Sequence, residues 1–91
     1  MHSEIYWTQR SEEHIARHSV TPDEVEDVVF VRPHWFASGR NGSVLCLGVT
    51  GAGRYLLVVL ATSTAKPSAW YCATARDMTV AERRLFLKRT S

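Results

Sequence analysis

Apolar residues are sparse up to Val20, fall at helical spacing between Val25 and Val29, and then gather into three dense runs before thinning again after Ala75. "IYW" at 5–7 reads as a short strand, and "TQRSEEHIARHSV" as a first helix from Ser11 to His18. At about 100° per residue Arg17, Arg10, His14 and His18 fall near −20°, 0°, 40° and 80°, so four basic or ionisable groups share one face. That face has to be the solvent face. "VTPDEV" is a helix start: Thr21 is an N-cap, Pro22 suits the first turn, Glu24 completes a Thr-x-x-Glu capping box, and Val20 is placed to staple onto Val25. Val25, Val28 and Val29 form its apolar stripe, and Pro33 ends it.

"HWFASGRNG" reads as an edge strand and a turn built on Gly39, Asn41 and Gly42. "SVLCLGVT", "RYLLVVLAT" and "AWYCATA", separated by "GAG" and "STAKPS", predict consecutive antiparallel hairpins. The middle run is apolar almost throughout, which places it mid-sheet with both faces covered. Trp70 and Tyr71 are adjacent on a strand and point to opposite faces, so one is buried and the other available. A third helix starts at Thr79, in a capping box with Glu82, and reaches Lys88. The predicted class is α+β: two N-terminal helices, a three- to four-stranded antiparallel sheet and a C-terminal helix.

At 91 residues the chain encloses one hydrophobic core, hence a single domain over 1–91, and 45% hydrophobic with 22% charged residues is the composition of a folded chain rather than a disordered one. The longest apolar run, Tyr55 to Ala61, is far short of a membrane span, and "MHSEIYWTQR" has neither a basic leader nor an apolar stretch. The expectation is a cytoplasmic protein without a membrane partner. Cys46 and Cys72 lie inside apolar runs and read as buried free thiols, a disulfide between neighbouring strands being the alternative. Charge sharpens the picture. Residues 1–27 carry seven acids and two bases (−5), residues 28–91 two acids and nine bases (+7), and no acid stands between Asp27 and Asp77. A one-sided field of this kind favours an anionic partner, although a solvated basic surface with no partner has the same signature.

Together these blocks resemble the BrnT-type toxins of the RelE-like ribonuclease superfamily, over Trp7 to Phe86. Trp7, Arg10, His14 and Arg17-His18-Ser19-Val20 match the family's opening pattern. Asp23 to Asp27 match its acidic helix, Gly48, Thr50, Gly53, Arg54, Leu56, Val58 and Val59 its hairpin, and Ala75, Arg76, Thr79, Glu82 and Arg83 its closing block. Thr8 stands where the family has Asp, and Phe86 where it has Tyr. The resemblance implies a RelE-like fold and a toxin of a bacterial type II toxin–antitoxin pair. Such a toxin is an endoribonuclease without cofactor, with RNA, on or off the ribosome, as substrate and a cognate antitoxin as partner; a homodimer is left open.

Cleavage beside a 2′-hydroxyl needs a proton acceptor, charge stabilisation at the phosphate and help for the leaving oxygen. Arginines suit the second task because a planar guanidinium grips two phosphate oxygens and stays charged. Arg54 starts one strand and Arg76 ends the next, so antiparallel pairing is expected to bring them to one edge. Each has a bland alternative: a solvated hairpin end for Arg54, a salt bridge to Asp77 or Glu82 for Arg76. Glu82 is a base candidate whose capping-box position explains it equally well. His18 is the candidate titrating catalytic group, with His14, Arg10, Arg17, Arg83 and Tyr71 as RNA contacts, and Trp35 and Phe36 as further stacking candidates; His34 and His2 are the other histidines. His14 and His18 lack the His-Glu-x-x-His pattern and a third ligand, so no metal site is expected. The alternative to an enzyme is a non-catalytic RNA- or protein-binding module on the same fold, which Phe86 and Thr8 favour.

Overall fold

The computed structural model describes residues 4–91; His2 lies outside them. Helices α1 (Gln9–Ala16) and α2 (Pro22–Phe30) precede strands β1 (His34–Ser38), β2 (Val44–Val49), β3 (Tyr55–Thr62) and β4 (Trp70–Asp77), and α3 (Val80–Thr90) follows. The four strands form one antiparallel sheet in the order β1-β2-β3-β4, so the class is α+β and β3 is an interior strand. Residues 5–7 form no strand; Ile5 makes a single parallel bridge to Trp70.

Helix α1 starts two residues earlier than its apolar pattern predicts, because Thr8 caps it. The Thr8 hydroxyl accepts from the Ser11 backbone N–H at 3.1 Å, and the Ser11 hydroxyl accepts from the Thr8 N–H at 3.0 Å. It also ends earlier: Ser19 takes a left-handed conformation (φ 58°), and the Val20 N–H turns back to the Ile15 carbonyl. Helix α2 begins at Pro22 with the Thr21–Glu24 box formed in both directions, and α3 repeats the device with Thr79 and Glu82, running two residues past the expected Lys88.

Strand alternation divides the core in two. Leu56, Val58 and Leu60 of β3, with Cys46, Cys72 and Ala75 of its neighbours, turn toward α1 and α2 and pack with Ile15, Val25, Val28 and Val29. Gly48 makes that approach possible, since a Cβ there would lie 2.8 Å from a Val28 methyl. On the other face Leu47 and Leu57 pack with Phe86 of α3. A β-bulge interrupts the β3–β4 pairing: Val59 is opposite Thr74 but Leu60 is opposite Cys72. The extra residue resets the alternation of β4, so Tyr71, Thr74 and Arg76 share the α3 face while Cys72 and Ala75 share the other. Trp70 packs on the larger core and Tyr71 lies on the more open face, so the pair divides between the faces as expected, but both are half-buried and neither is fully enclosed.

Candidate functional site: a groove on the α3 face

Helix α3 covers only part of its face of the sheet. Beside its N-terminus runs a groove of about 490 Å³ with a floor of Leu45, Leu57 and Val59. Arg76 and Glu82 form one wall, and the turn from Ser38 to Ser43, carrying Arg40, forms the other. The turn takes its shape from Asn41 and Gly42, both at positive φ (55° and 78°), a conformation in which Asn and Gly cost least.

Arg76 sits at the end of a hydrogen-bonded strand. Its guanidinium donates to both Glu82 oxygens, at 2.8 and 2.9 Å, and to the Asp77 carbonyl at 3.0 Å. Glu82 also accepts the Thr79 N–H at 2.8 Å. Three of the five guanidinium N–H groups are thereby engaged, leaving the Nε proton and one Nη2 proton. The hydrogen bonds from Arg76, partly opposed by burial and helped by the Thr79 backbone, lower the Glu82 carboxyl to about 2. A carboxylate that weakly basic does not accept a proton usefully near neutral pH; Glu82 is a clamp on Arg76 and on the helix start. Across the groove, the Arg40 guanidinium has no partner among the described residues.

Arg54 does not join this site. It reaches the same end of the sheet as Arg76, but its guanidinium turns to the opposite side, toward α1 and α2. There it donates to Asp77 at 2.9 Å, to Glu24 at 3.1 Å and to the carbonyls of Ser19 (2.6 Å) and His18 (3.1 Å). One planar fork thus ties the α1–α2 loop, the α2 start and the end of β4 together. Antiparallel pairing does bring the two arginines to one end of the sheet, as expected, but to opposite faces, because Asp77, which holds Arg54, and Arg76 are consecutive on β4 and point apart.

The remaining candidates divide the same way. Arg10 and His14 are on α1, whereas Arg17 is its C-cap and His18 lies in the turn beyond it, so the expected four-residue face is only half helical; the His14 and His18 rings are 6.3 Å apart and tilted. That places them in the α1/α2 layer, across the sheet from the groove. Arg83 belongs to α3 and stacks 4.0 Å over the Tyr55 ring, which meets Phe86 edge-on. Tyr71 lies on the groove's face, nearer the other end of β4. Trp35, with Arg89 5.3 Å from its ring, packs on the Leu47–Leu57–Phe86 cluster. His34 holds its Nδ1 3.2 Å from the Val28 carbonyl. The residues expected to act together therefore form two sets, with Arg76, Glu82, Arg83, Tyr71 and Trp35 on the groove side of the sheet.

Sequence reasoning missed Arg40. Its signal is faint: a lone arginine in a Gly-Arg-Asn-Gly turn, inside the acid-free stretch. The fold gives that stretch meaning, because six of the seven N-terminal acids lie on α1 and α2, whereas Arg83, Arg84, Lys88 and Arg89 lie on α3. The sheet separates an acidic layer from a basic one. Cys46 and Cys72 are free and buried, and burial pushes both thiols up to about 12, so neither offers a thiolate near neutral pH. Among the described residues no three His, Cys, Asp or Glu side chains gather where they could hold a metal ion, and no helix is long and apolar enough to cross a membrane. No protein-family model, curated protein or solved structure matches the chain, so its resemblance to the BrnT-type toxins rests on the residues that carry it.

Proposed function

We propose that this chain is the toxin of a type II toxin–antitoxin pair with a RelE-like fold, that it acts on RNA from the groove beside α3, and that a cognate antitoxin restrains it by covering the basic layer. The observation that carries this reading is Arg76, fixed at a strand end by Glu82 with two N–H groups still open, facing Arg40 across a groove flanked by the basic helix. Rigidly held donors aimed at a phosphate act on developing charge at no cost of reorganisation. In the proposed reaction the 2′-hydroxyl oxygen attacks the adjacent phosphorus, the bond to the 5′-oxygen breaks, and the products are a 2′,3′-cyclic phosphate and a 5′-hydroxyl end. Arg76 and Arg40 stabilise the charge on the non-bridging oxygens. The groove holds no group of suitable basicity, so water or hydroxide takes the proton of the 2′-hydroxyl and water returns one to the leaving 5′-oxygen, with no cofactor.

The same observations support a second reading. Arg54 is committed to the fold, Glu82 is too weak a base, and Phe86, where the family has Tyr, is 1% exposed and carries no hydroxyl. A module that binds RNA or protein without cleaving it needs none of these groups.

Induction of the chain alone in bacteria, beside an Arg40→Ala/Arg76→Ala variant at equal level, separates the readings; living cells supply ribosomes, so a ribosome-dependent nuclease is not missed. Arrest by the first and not the second, with new 5′-hydroxyl RNA ends, is the expected result. Arrest without new ends favours the binding module, and growth with both chains folded rejects the toxin.

A further inference from the structure

Resting on the RNA reading above, we infer that a second pocket, at the far end of the same sheet face, is a binding site for one unpaired nucleobase of the RNA strand. The pocket has a volume of about 310 Å³ and lies between Tyr6, Tyr71, Thr62 and the loop residues Ser63, Thr64 and Ala65. Its chemistry differs from that of the groove. No lining residue is charged, and the nearest loop cation, Lys66, is held by Glu4 at 2.8 Å. Such a pocket offers a phosphate no cation to neutralise it. Two phenol rings and several hydroxyls, each able to donate and accept, suit instead a neutral flat ring with a mixed hydrogen-bonding edge.

Position joins the pocket to the groove. The N-terminal segment runs beside β4, with the Tyr6 N–H donating to the Trp70 carbonyl at 2.8 Å. Ile5 is in the larger core, so Tyr6, its neighbour, turns to the other side, where Tyr71 already lies. Tyr71 and Arg76 are five residues apart, an odd spacing that would put them on opposite faces of a regular strand; the bulge puts them on one. Their partners on β3, Ala61 and Leu57, are four residues apart, so the two are separated by about 13 Å at about 3.3 Å per residue. A short single strand spans that distance over Thr74, Val59 and Ala61, so the base in the pocket belongs to a nucleotide a few steps from the phosphate at Arg76. Loss of a stacked base on alanine substitution weakens single-strand binding by about 5- to 150-fold.

The test is fluorescence anisotropy with a short 2′-O-methyl single-stranded RNA, which lacks the attacking hydroxyl and so reports binding alone. Tyr71→Ala is expected to weaken binding by about 5-fold or more, Tyr71→Phe to keep most of it, and a strand of abasic sugars to bind the wild-type and Tyr71→Ala proteins equally. Ala65→Trp, which fills the pocket and leaves both tyrosines in place, gives the same loss without removing a ring and guards against a misfolded Tyr71→Ala. If the wild type binds the strand and neither Tyr71→Ala nor Ala65→Trp changes its affinity, the nucleobase pocket is overturned while the RNA reading stands. If the wild type does not bind the strand at all, both fall.

Discussion

Twelve of the described residues form the buried cluster between the sheet and α1/α2, but only Leu47, Leu57 and Phe86 form the one beneath α3. The first layer is acidic, closed by two reciprocal capping boxes and stitched by Arg54. The second is basic, leaves Leu85 and Leu87 of α3 40% and 46% exposed, and contains the groove. Burial of apolar area is what holds a small domain together, so the α1/α2 layer carries most of the stability. That frees the α3 face to keep an open groove and unpaired cations. The largest expected effects fall on the first layer. Leu60→Ala, at a fully buried position, is expected to lower unfolding stability by about 2–5 kcal/mol, whereas Leu45→Ala on the groove floor costs about 1 kcal/mol. Urea titration of both variants measures the contrast, and equal losses would abolish the distinction between the faces.

Arg54 comes next. Its guanidinium is only partly exposed and holds Asp77, Glu24 and the His18 and Ser19 carbonyls of the α1–α2 loop. Arg54→Ala is expected to cost about 2–3 kcal/mol, since hydrogen bonds to charged groups are worth about 1.5–3 kcal/mol. Arg54→Lys recovers little of this, because one ammonium cannot occupy the four acceptor positions of the fork. Arg84→Ala, on the basic layer, stays within about 0.5 kcal/mol. A thermal or urea series over the three variants checks the order, and a small loss at Arg54 would return that residue to the list of free cations.

The acid limb of stability probes the α3 layer. Glu82 has its carboxyl lowered from 4.5 to about 2, chiefly by Arg76. A carboxylate whose folded pKa is depressed contributes stability above its unfolded value and loses it as pH falls toward the folded one. The Glu82 contribution is therefore full above about 4.5 and disappears between 4.5 and 2. Because the Arg76 side chain is 39% exposed, solvent screening holds the effect to about 1 kcal/mol. Glu82→Gln should flatten the pH dependence of unfolding in that window by this amount and leave stability at pH 7 lower by a similar one. Unchanged acid curves would mean that Arg76 does not clamp Glu82 in solution.

Where local chemistry and global fold agree, the elements were legible in the chain. The Thr21–Glu24 and Thr79–Glu82 boxes, the valine stripe of α2 and the three apolar runs each need only their own neighbours to form. Thr8 escaped as a cap because its reciprocal partner is Ser11 rather than the usual Glu or Gln. The bulge in β4 leaves no mark on periodicity in so short a run, yet it decides that Tyr71 shares a face with Arg76. The partners of Arg54 come from positions 18, 19, 24 and 77, and no local pattern joins them. The site was half legible for the same reason: residue types and spacing identify cations, while only the sheet's two faces determine which of them act together.

Arg40 offers the smallest expected effect on stability and the sharpest on function. Its turn is shaped by Asn41 and Gly42, and its side chain is exposed and has no partner among the described residues. Arg40→Ala therefore leaves unfolding stability within about 0.5 kcal/mol. If Arg40 neutralises a phosphate, single-strand RNA affinity falls and the slope of log affinity against log salt shrinks by about 0.7, the contribution of one phosphate contact in single strands. Arg17→Ala, in the opposite layer, removes the same formal charge and should move that slope far less. Equal changes for the two variants would show that the RNA responds to net charge rather than to the groove, and the comparison between the faces would then carry stability but no function.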